Sequence, residues 1–286
     1  MTYRLVSNYK DNPVLRTSFA ALAKETFGID FEKWHAAGGW NEDYIPYSYS
    51  SDERIIANVS VSTMELLMEG KKQKAVQIGT VMTEPSHRGK GLAGSLLLHV
   101  LKEYEDACDF FFLAADEKAV PLYTRWGFRT VKSFRFIVDP SLYRKSIASP
   151  VQVRMALDEL LKHKRESLPL RSKVAALGEE HILAFYYVHG FDQCIHRLSE
   201  DLLVLMEMEG TDLHLYDVFS TRAYRLETLL ERIIPEHAER VICHFAPLGN
   251  LKGLSLEEDA DAGWMIRSSG DLSLPDAFTF PDISKA

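Results

Sequence analysis

The stretch Val81-Met82-Thr83-Glu84-Pro85-Ser86-His87-Arg88-Gly89-Lys90-Gly91-Leu92-Ala93-Gly94 holds the residues whose types and order point most directly to chemistry. An extended apolar segment stops at Pro85, a loop turns, and glycines open a helix. A helix N-terminus presents unpaired backbone N–H groups and about half a positive charge. Glycines remove the side chains that would hold an anion away, and Arg88 and Lys90 add cationic donors. Together these make a phosphate or pyrophosphate cradle. A nucleoside triphosphate loop needs Ser or Thr after its lysine, whereas Gly91 follows Lys90. Gly89, Gly91 and Gly94 match the G-x-G-x-x-G of dinucleotide sites literally. That fingerprint follows its strand directly in a parallel βαβ unit. Here Pro85 and its neighbours intervene and the preceding segments read as antiparallel hairpins, which disfavours an NAD-dependent oxidoreductase.

The elements that must position this loop follow from hydrophobic periodicity. Residues 3–8 alternate as a short strand, and Pro13 opens an amphipathic helix through about Thr26. Phe27 to Asp43, with Trp34, Trp40 and Gly38-Gly39, reads as a loop or broken helix. Three strands follow, at Tyr44–Ser50, Arg54–Met68 and Ala75–Thr83, joined by tight polar turns. The helix from about Gly89 to Asp106 repeats Leu92, Leu96, Leu97, Val100 and Leu101 at helical spacing. Phe110–Leu113 is a buried strand, Ala119–Trp126 a short helix ended by Gly127, and Phe128–Val138 a strand or bent hairpin.

Composition narrows the function classes. The chain has 286 residues, 46% hydrophobic and 26% charged, which are ordinary globular values at a length suited to two domains. A net charge of -8 argues against nucleic acid as the partner, because neutralising phosphates takes a basic face. Cys108, Cys194 and Cys243 form no CxxC, so no zinc site and no other metal is expected. The sequence opens without the apolar core of a signal peptide, and no apolar run approaches the roughly 20 residues of a membrane span. A cytoplasmic protein that does not engage a membrane is the expectation.

The cradle resembles motif A of the GNAT superfamily of N-acetyltransferases, [RQ]-x-x-G-x-[GA], through Arg88, Gly91 and Ala93. Ala119, Leu122, Tyr123, Gly127 and Phe128 match a second motif of that family, A-x-x-L-Y-x-x-x-G-F, at the required spacing. The resemblance covers roughly residues 1–140. It implies an α+β GNAT fold, with a central, mostly antiparallel sheet flanked by helices. It also implies acetyl-coenzyme A as cosubstrate. Val81, Met82 and Thr83 would meet the pantetheine arm, and the N–H groups of Arg88, Gly89, Lys90, Gly91, Leu92, Ala93 and Gly94 the pyrophosphate. A backbone N–H near Val81 or Met82 would stabilise the acyl oxyanion, and Tyr123 would be the general acid. Asp116 stands where family members often carry Asn, and a carboxylate cannot donate as an amide does. The implied reaction moves an acetyl group to a primary amine of a small molecule. A protein amine acetyltransferase and a non-catalytic acyl-coenzyme A sensor are the alternatives.

The base that takes the amine proton is not named by any motif; Glu25, Asp43 and Glu84 are candidates. The tandem layout is also similar to the enhanced-intracellular-survival acetyltransferases, whose C-terminal carboxylate reaches the active site. A carboxylate from Ala286, carried in by the apolar tail Phe278–Ile283, would be the analogue. Domains are expected at 1–145 and 146–286, the second a smaller, degenerate GNAT-like unit. Its helices are expected at about Gln152–Arg165, Ile182–Val188 and Leu226–Ile234, with a meander over Cys194–Val218, a strand at Arg240–Phe245 and a last strand at Gly263–Ile266. Phe219-Ser220-Thr221-Arg222-Ala223 contains no glycine, so no second cofactor loop is expected. Lys162-His163-Lys164-Arg165 reads as an exposed helix face, and His87, His181, His189 and His196 as structural or surface residues. Trp34, Trp40, Tyr44 and Tyr47 divide evenly between ordinary core and the lining of an acceptor pocket.

Overall fold

The computed structural model describes residues 2–144 and 150–286. The first half runs β1 (Arg4–Ser7), α1 (Pro13–Phe27), α2 (Phe31–Ala36), β2 (Tyr44–Ser51), β3 (Arg54–Met68), β4 (Lys71–Thr83), α3 (Leu92–Tyr104), β5 (Phe110–Ala114), α4 (Val120–Thr124), β6 (Arg129–Thr130) and β7 (Phe134–Val138). The second runs β8 (Val151–Gln152), α5 (Leu157–Glu166), β9 (Val174–Leu177), α6 (Glu180–Val188), β10 (Ile195–Ser199), β11 (Leu202–Glu209), β12 (Asp212–Ser220), α7 (Leu226–Ile233), β13 (Arg240–Cys243), β14 (Leu254–Glu258) and β15 (Trp264–Ser268). Asn12 caps α1 by accepting from the N–H groups of Val14 and Leu15, ahead of the expected Pro13 start. The β2–β3 and β3–β4 turns place Asp52, Glu53, Glu69 and Gly70 at positive φ, the twist that tight hairpins need.

Two mixed sheets result. The first has the strand order β1-β2-β3-β4-β5-β15-β6, with β9 added to β3; the second has β14-β7-β13-β12-β11-β10-β8. Each sheet has one parallel pair among its described strands, β4 with β5 and β12 with β13. Parallel neighbours need a crossover, and α3 and α7 supply it. The run β2-β3-β4-α3-β5 of the first half has a counterpart in β10-β11-β12-α7-β13 of the second, with Thr221–Arg225 in place of the glycine loop.

The halves exchange strands. β7, from the first half, pairs with β13 and β14 in the second sheet. β15, expected to close the second half, inserts between β5 and β6 in the first sheet and pairs Trp264–Ser268 with Phe110–Ala114. Aromatic packing secures it: Phe280 stacks on Phe112 at 4.7 Å and meets Trp264 at 4.8 Å. The expected boundary at 145 lies outside the described residues, and the sheets on either side of it interlock rather than divide there. One apolar cluster accordingly contains Phe112, Phe136, Val204, Val241 and Trp264 together.

Two local departures have simple causes. β14 was not expected, because its residues are almost wholly exposed and three of five are polar or charged, as suits an edge strand but not a core pattern. Lys164 is not part of a solvated face. Its ammonium is enclosed between Glu179 (2.7 Å) and Asp217 (3.1 Å), tying α5 to α6 and β12. Burial opposes its charge, but the two carboxylates outweigh that and hold its pKa above the ordinary lysine value.

Candidate active site

β4 and β5 stay paired only over Ala75–Gln77 and Phe110–Phe112, then part. On its other side β4 loses register with β3. Asn58 faces Met82 and Ser60 faces Gly79, so Thr80 and Val81 have no partner there. This is a β-bulge, and Thr80 sits at φ +48° within it. A β-branched residue in the left-handed region costs about 1–2 kcal/mol and persists only where its surroundings impose it. They do so here through a buried polar chain. Tyr9 and Ser48 hydroxyls lie 2.6 Å apart, Ser48 donates to Asn58 Oδ1 at 2.8 Å, and Asn58 Nδ2 donates to the Thr80 carbonyl at 2.7 Å. Tyr44 donates to Thr80 Oγ1 at 2.9 Å. Thr80 and Val81, the residues of the bulge, both line the space between β4 and β5.

That gap opens into a cavity of about 440 Å³. Ile78 to Val81 form one wall and Ala114 to Asp116 the other, with Ala119 and Tyr123 beside them. The segment Phe27–Trp34 and Tyr44 close the side toward α1, while His181, Ile182, Phe185 and Tyr186 on α6 cover it from the second half. Trp34 Nε1 donates to the His181 carbonyl at 2.8 Å and fastens α2 to α6. The tail completes the lining with Lys285 and Ala286. The Ala286 N–H donates to Gln77 Oε1 at 2.8 Å, and a Cβ on Gly79 would lie 3.2 Å from the Ala286 carbonyl carbon and oxygen. Gly79 is thus a glycine by reason of close approach.

The sequence-derived site residues fall in two groups. Val81 and Tyr123 line the cavity. Met82 packs into the cluster of Phe19, Trp34 and Tyr44 and does not line the cavity. The Thr83 carbonyl accepts Arg88 Nε at 3.1 Å, which anchors the start of the loop. Gly89 and Gly91 have φ of +75° and +76°, and a Cβ on either would project into open space. Lys90 is exposed beside them, and α3 begins at Leu92 with no side chain capping it. Ala93 and Gly94 are half-buried at its first turn, while Leu92 turns into the core. Uncapped N–H groups, two left-handed glycines and two cations fit the diphosphate of coenzyme A, and the splayed strands beyond fit its thioester arm.

Tyr123 is 6% exposed. Burial first, and the nearby charge of Asp116 second, push its phenol up to about 12. It therefore keeps its proton at any ordinary pH. Asp116 itself is exposed at the rim. The three candidate bases do not line the cavity. Glu25 is exposed on α1, Asp43 is held by Asn41 and Thr63, and Glu84 by Arg54 and His87. Of the four aromatics weighed together, Trp34 and Tyr44 line the cavity. Trp40 stacks behind Trp34, and Tyr47 bonds to Glu103 on the opposite face.

Sequence reasoning missed His181, Asn58, Thr80 and Gly79. His181 is 1% exposed, neither ring nitrogen has a partner among the described residues, and burial lowers its pKa to about 3. Protonation must force a charge into a dry site. The folded-state pKa lies below the unfolded value of about 6.5, so the stability contributed by neutral His181 is present above pH ~6.5 and is lost as pH falls toward 3. His181→Gln is expected to shift the acid-unfolding midpoint to lower pH by at least half a unit (about 0.5), read by tryptophan fluorescence; an unmoved midpoint refutes this.

Residues 17–131 match the model of the acetyltransferase (GNAT) domain family. Among solved structures, a probable N-acyltransferase from Enterococcus faecalis V583 shares 13% identity and superposes with a TM-score of 0.62, over 94% of this chain and 73% of that one. Eis1 from Mycobacterium abscessus gives 12% and 0.61 over 94% and 74%. A GCN5-related N-acetyltransferase from Kribbella flavida gives 16% and 0.60 over 93% and 72%. No curated protein matches the sequence. The structural likenesses show a shared fold across both halves, and the domain match identifies residues 17–131 as similar to the acetyltransferase (GNAT) domain.

Proposed function

We propose that this GNAT-type acyltransferase moves an acetyl group from acetyl-coenzyme A to the primary amine of a small molecule. The observation that carries the reading is the cavity itself. It joins the opening between β4 and β5 to a half-open chamber covered on one side by α6, with Tyr123 on its wall. Bound acetyl-coenzyme A supplies an acyl thioester. Arg88, Lys90 and the N–H groups of Gly89 to Gly94 hold its diphosphate, and Val81 to Thr83 align its arm. The bulge at Thr80–Val81 aims backbone N–H groups at the acyl oxygen, where one such donor is worth about 3–4 kcal/mol in comparable sites. Tyr123, neutral throughout the working range, donates to the departing sulfur. Ala286 lies beside Gly79 at this end of the half-open cavity, and the amine proton leaves to water. The chamber is roofed by the protein's own helix, which favours a small acceptor over a protein tail.

Calorimetric titration with acetyl-coenzyme A, followed by thiol release on adding amines, tests this. Gly91→Val forces a β-branched side chain to φ +76° in the cradle and is expected to weaken acetyl-coenzyme A binding at least about tenfold. Unchanged affinity removes the cradle assignment. Tight binding with no thiol release from any amine turns the protein into an acyl-coenzyme A sensor.

A further inference from the structure

The acceptor end of the cavity has a chemistry of its own. Phe27, Phe31, Trp34, Tyr44, Phe185 and Tyr186 surround it. Asp116 is the one acidic side chain among the described lining residues, and it sits on the far wall with Tyr123. Lys285 adds a positive charge at the tail. A polyamine or aminoglycoside would bring several ammonium groups into this chamber. Asp116 can pair with one of them; the others would lose their hydration without a carboxylate side chain of the lining to replace it, and burying an unpaired charge is strongly unfavourable. An apolar ring meets the opposite situation, because edge-to-face contacts with the walls reward its burial.

One polar group of the lining is buried and uncharged. The imidazole of His181 is buried, lines the cavity, and has both nitrogens unpartnered; Ser62 Oγ, also in the lining, is unpartnered too. Buried polar atoms are nearly always satisfied, so an orphaned pair facing a chamber marks where a ligand's polar group would bind. A neutral imidazole offers one donor and one acceptor, which suits a hydroxyl, carbonyl or amide rather than a cation. Resting on the transferase reading above, we infer that the acceptor is a primary amine on an apolar, aromatic-sized body that carries one neutral hydrogen-bonding group, received by His181. His181 is then a specificity-determining residue, supplied to the first sheet's site by the second half of the chain.

The test is a thiol-release panel on the full chain with acetyl-coenzyme A and four acceptors: 2-phenylethylamine, 2-amino-1-phenylethanol, spermidine and kanamycin. The aromatic amines are expected to exceed both polycations at least about tenfold in kcat/KM. His181→Leu, similar in size but apolar, is expected to raise KM for the hydroxylated amine about tenfold while leaving that for 2-phenylethylamine within about twofold. His181→Gln should restore part of the difference. Equal or preferred use of the polycations overturns the proposal while leaving the transferase reading in place. No turnover with any amine, with acetyl-coenzyme A still bound, overturns both. Should His181→Leu fail to fold, the panel on the unaltered protein decides.

Discussion

Tyr123→Phe is expected to lower kcat by about 10²–10⁴-fold and to leave the acetyl-coenzyme A dissociation constant within about twofold. The split follows from where the phenol sits. Its ring packs against Phe128 at 5.9 Å, a contact that Phe preserves, so the short helix α4 and the cavity wall keep their shape. Only the hydroxyl is lost, and with it the proton offered to the departing sulfur. A thiolate whose conjugate acid has a pKa of about 8.5 leaves without help to some degree, so residual turnover is expected rather than none. The shifted phenol adds a check on pH. With its pKa pushed up to about 12, mainly by burial and then by Asp116, Tyr123 stays a donor across the accessible range. The rate should therefore show no alkaline fall due to Tyr123 below about pH 11, and any limb at lower pH must survive in the variant. Stopped-flow thiol release against pH measures both. Equal kcat in the variant removes Tyr123 from the mechanism.

The parts of the site legible in the sequence are those whose chemistry is local. Arg88 to Gly94 announce a cradle because left-handed glycines and an uncapped helix start need only neighbours in the chain. Tyr123 was reachable because its motif lies a fixed distance from the first. What the sequence hid depends on long-range placement. The exchange of β7 and β15 cannot be read from strands whose patterns suit either sheet. Nothing in the periodicity of α6 says that His181 will roof a cavity opened by strands 67 to 110 residues earlier. One hidden feature did leave a signal. Asn58, Ser60 and Ser62 alternate with Val59 and Val61 in an otherwise apolar strand, and Ser48 and Ser50 recur on the strand beside it. Small polar residues at period two within a core strand mark a buried hydrogen-bonded face, and here that face holds the Thr80 bulge.

Strand exchange also ties the second half to the site in the first sheet. The second sheet has the same parallel crossover but no glycine loop, so it offers no second cradle. It contributes instead α6 above the chamber, His181 within it, and the tail that runs back to the first sheet. Asp282 is the hinge of that path. Its carboxylate pairs with His244 of the second sheet, and Tyr186 donates to the carbonyls of Asp282 at 2.9 Å and Lys285 at 3.2 Å. Ala286 then reaches Gln77. The tail links the two sheets at the point where the reaction would occur.

Deleting Lys285 and Ala286 is therefore expected to cost about 10²-fold in kcat/KM, the scale of a misplaced acceptor once this part of the cavity wall is gone, with little change in thermal stability. The deletion spares Phe278, Phe280 and Ile283, which are all buried and carry the packing of the tail. It removes the Ala286 bond to Gln77 and the group that lies against Gly79. Gly79→Val is the complementary variant. Its side chain would start 3.2 Å from Ala286 and extend further into the same space, so it must displace the end of the tail without shortening it. The two changes should give similar losses, and combining them should add little, because both remove one contribution. Steady-state kinetics with a fixed amine, beside melting curves for all three proteins, provide the comparison. Full activity after the deletion refutes a role for Ala286. Losses that simply multiply in the double variant mean that Gly79 acts through the bulge at Thr80 rather than through the tail.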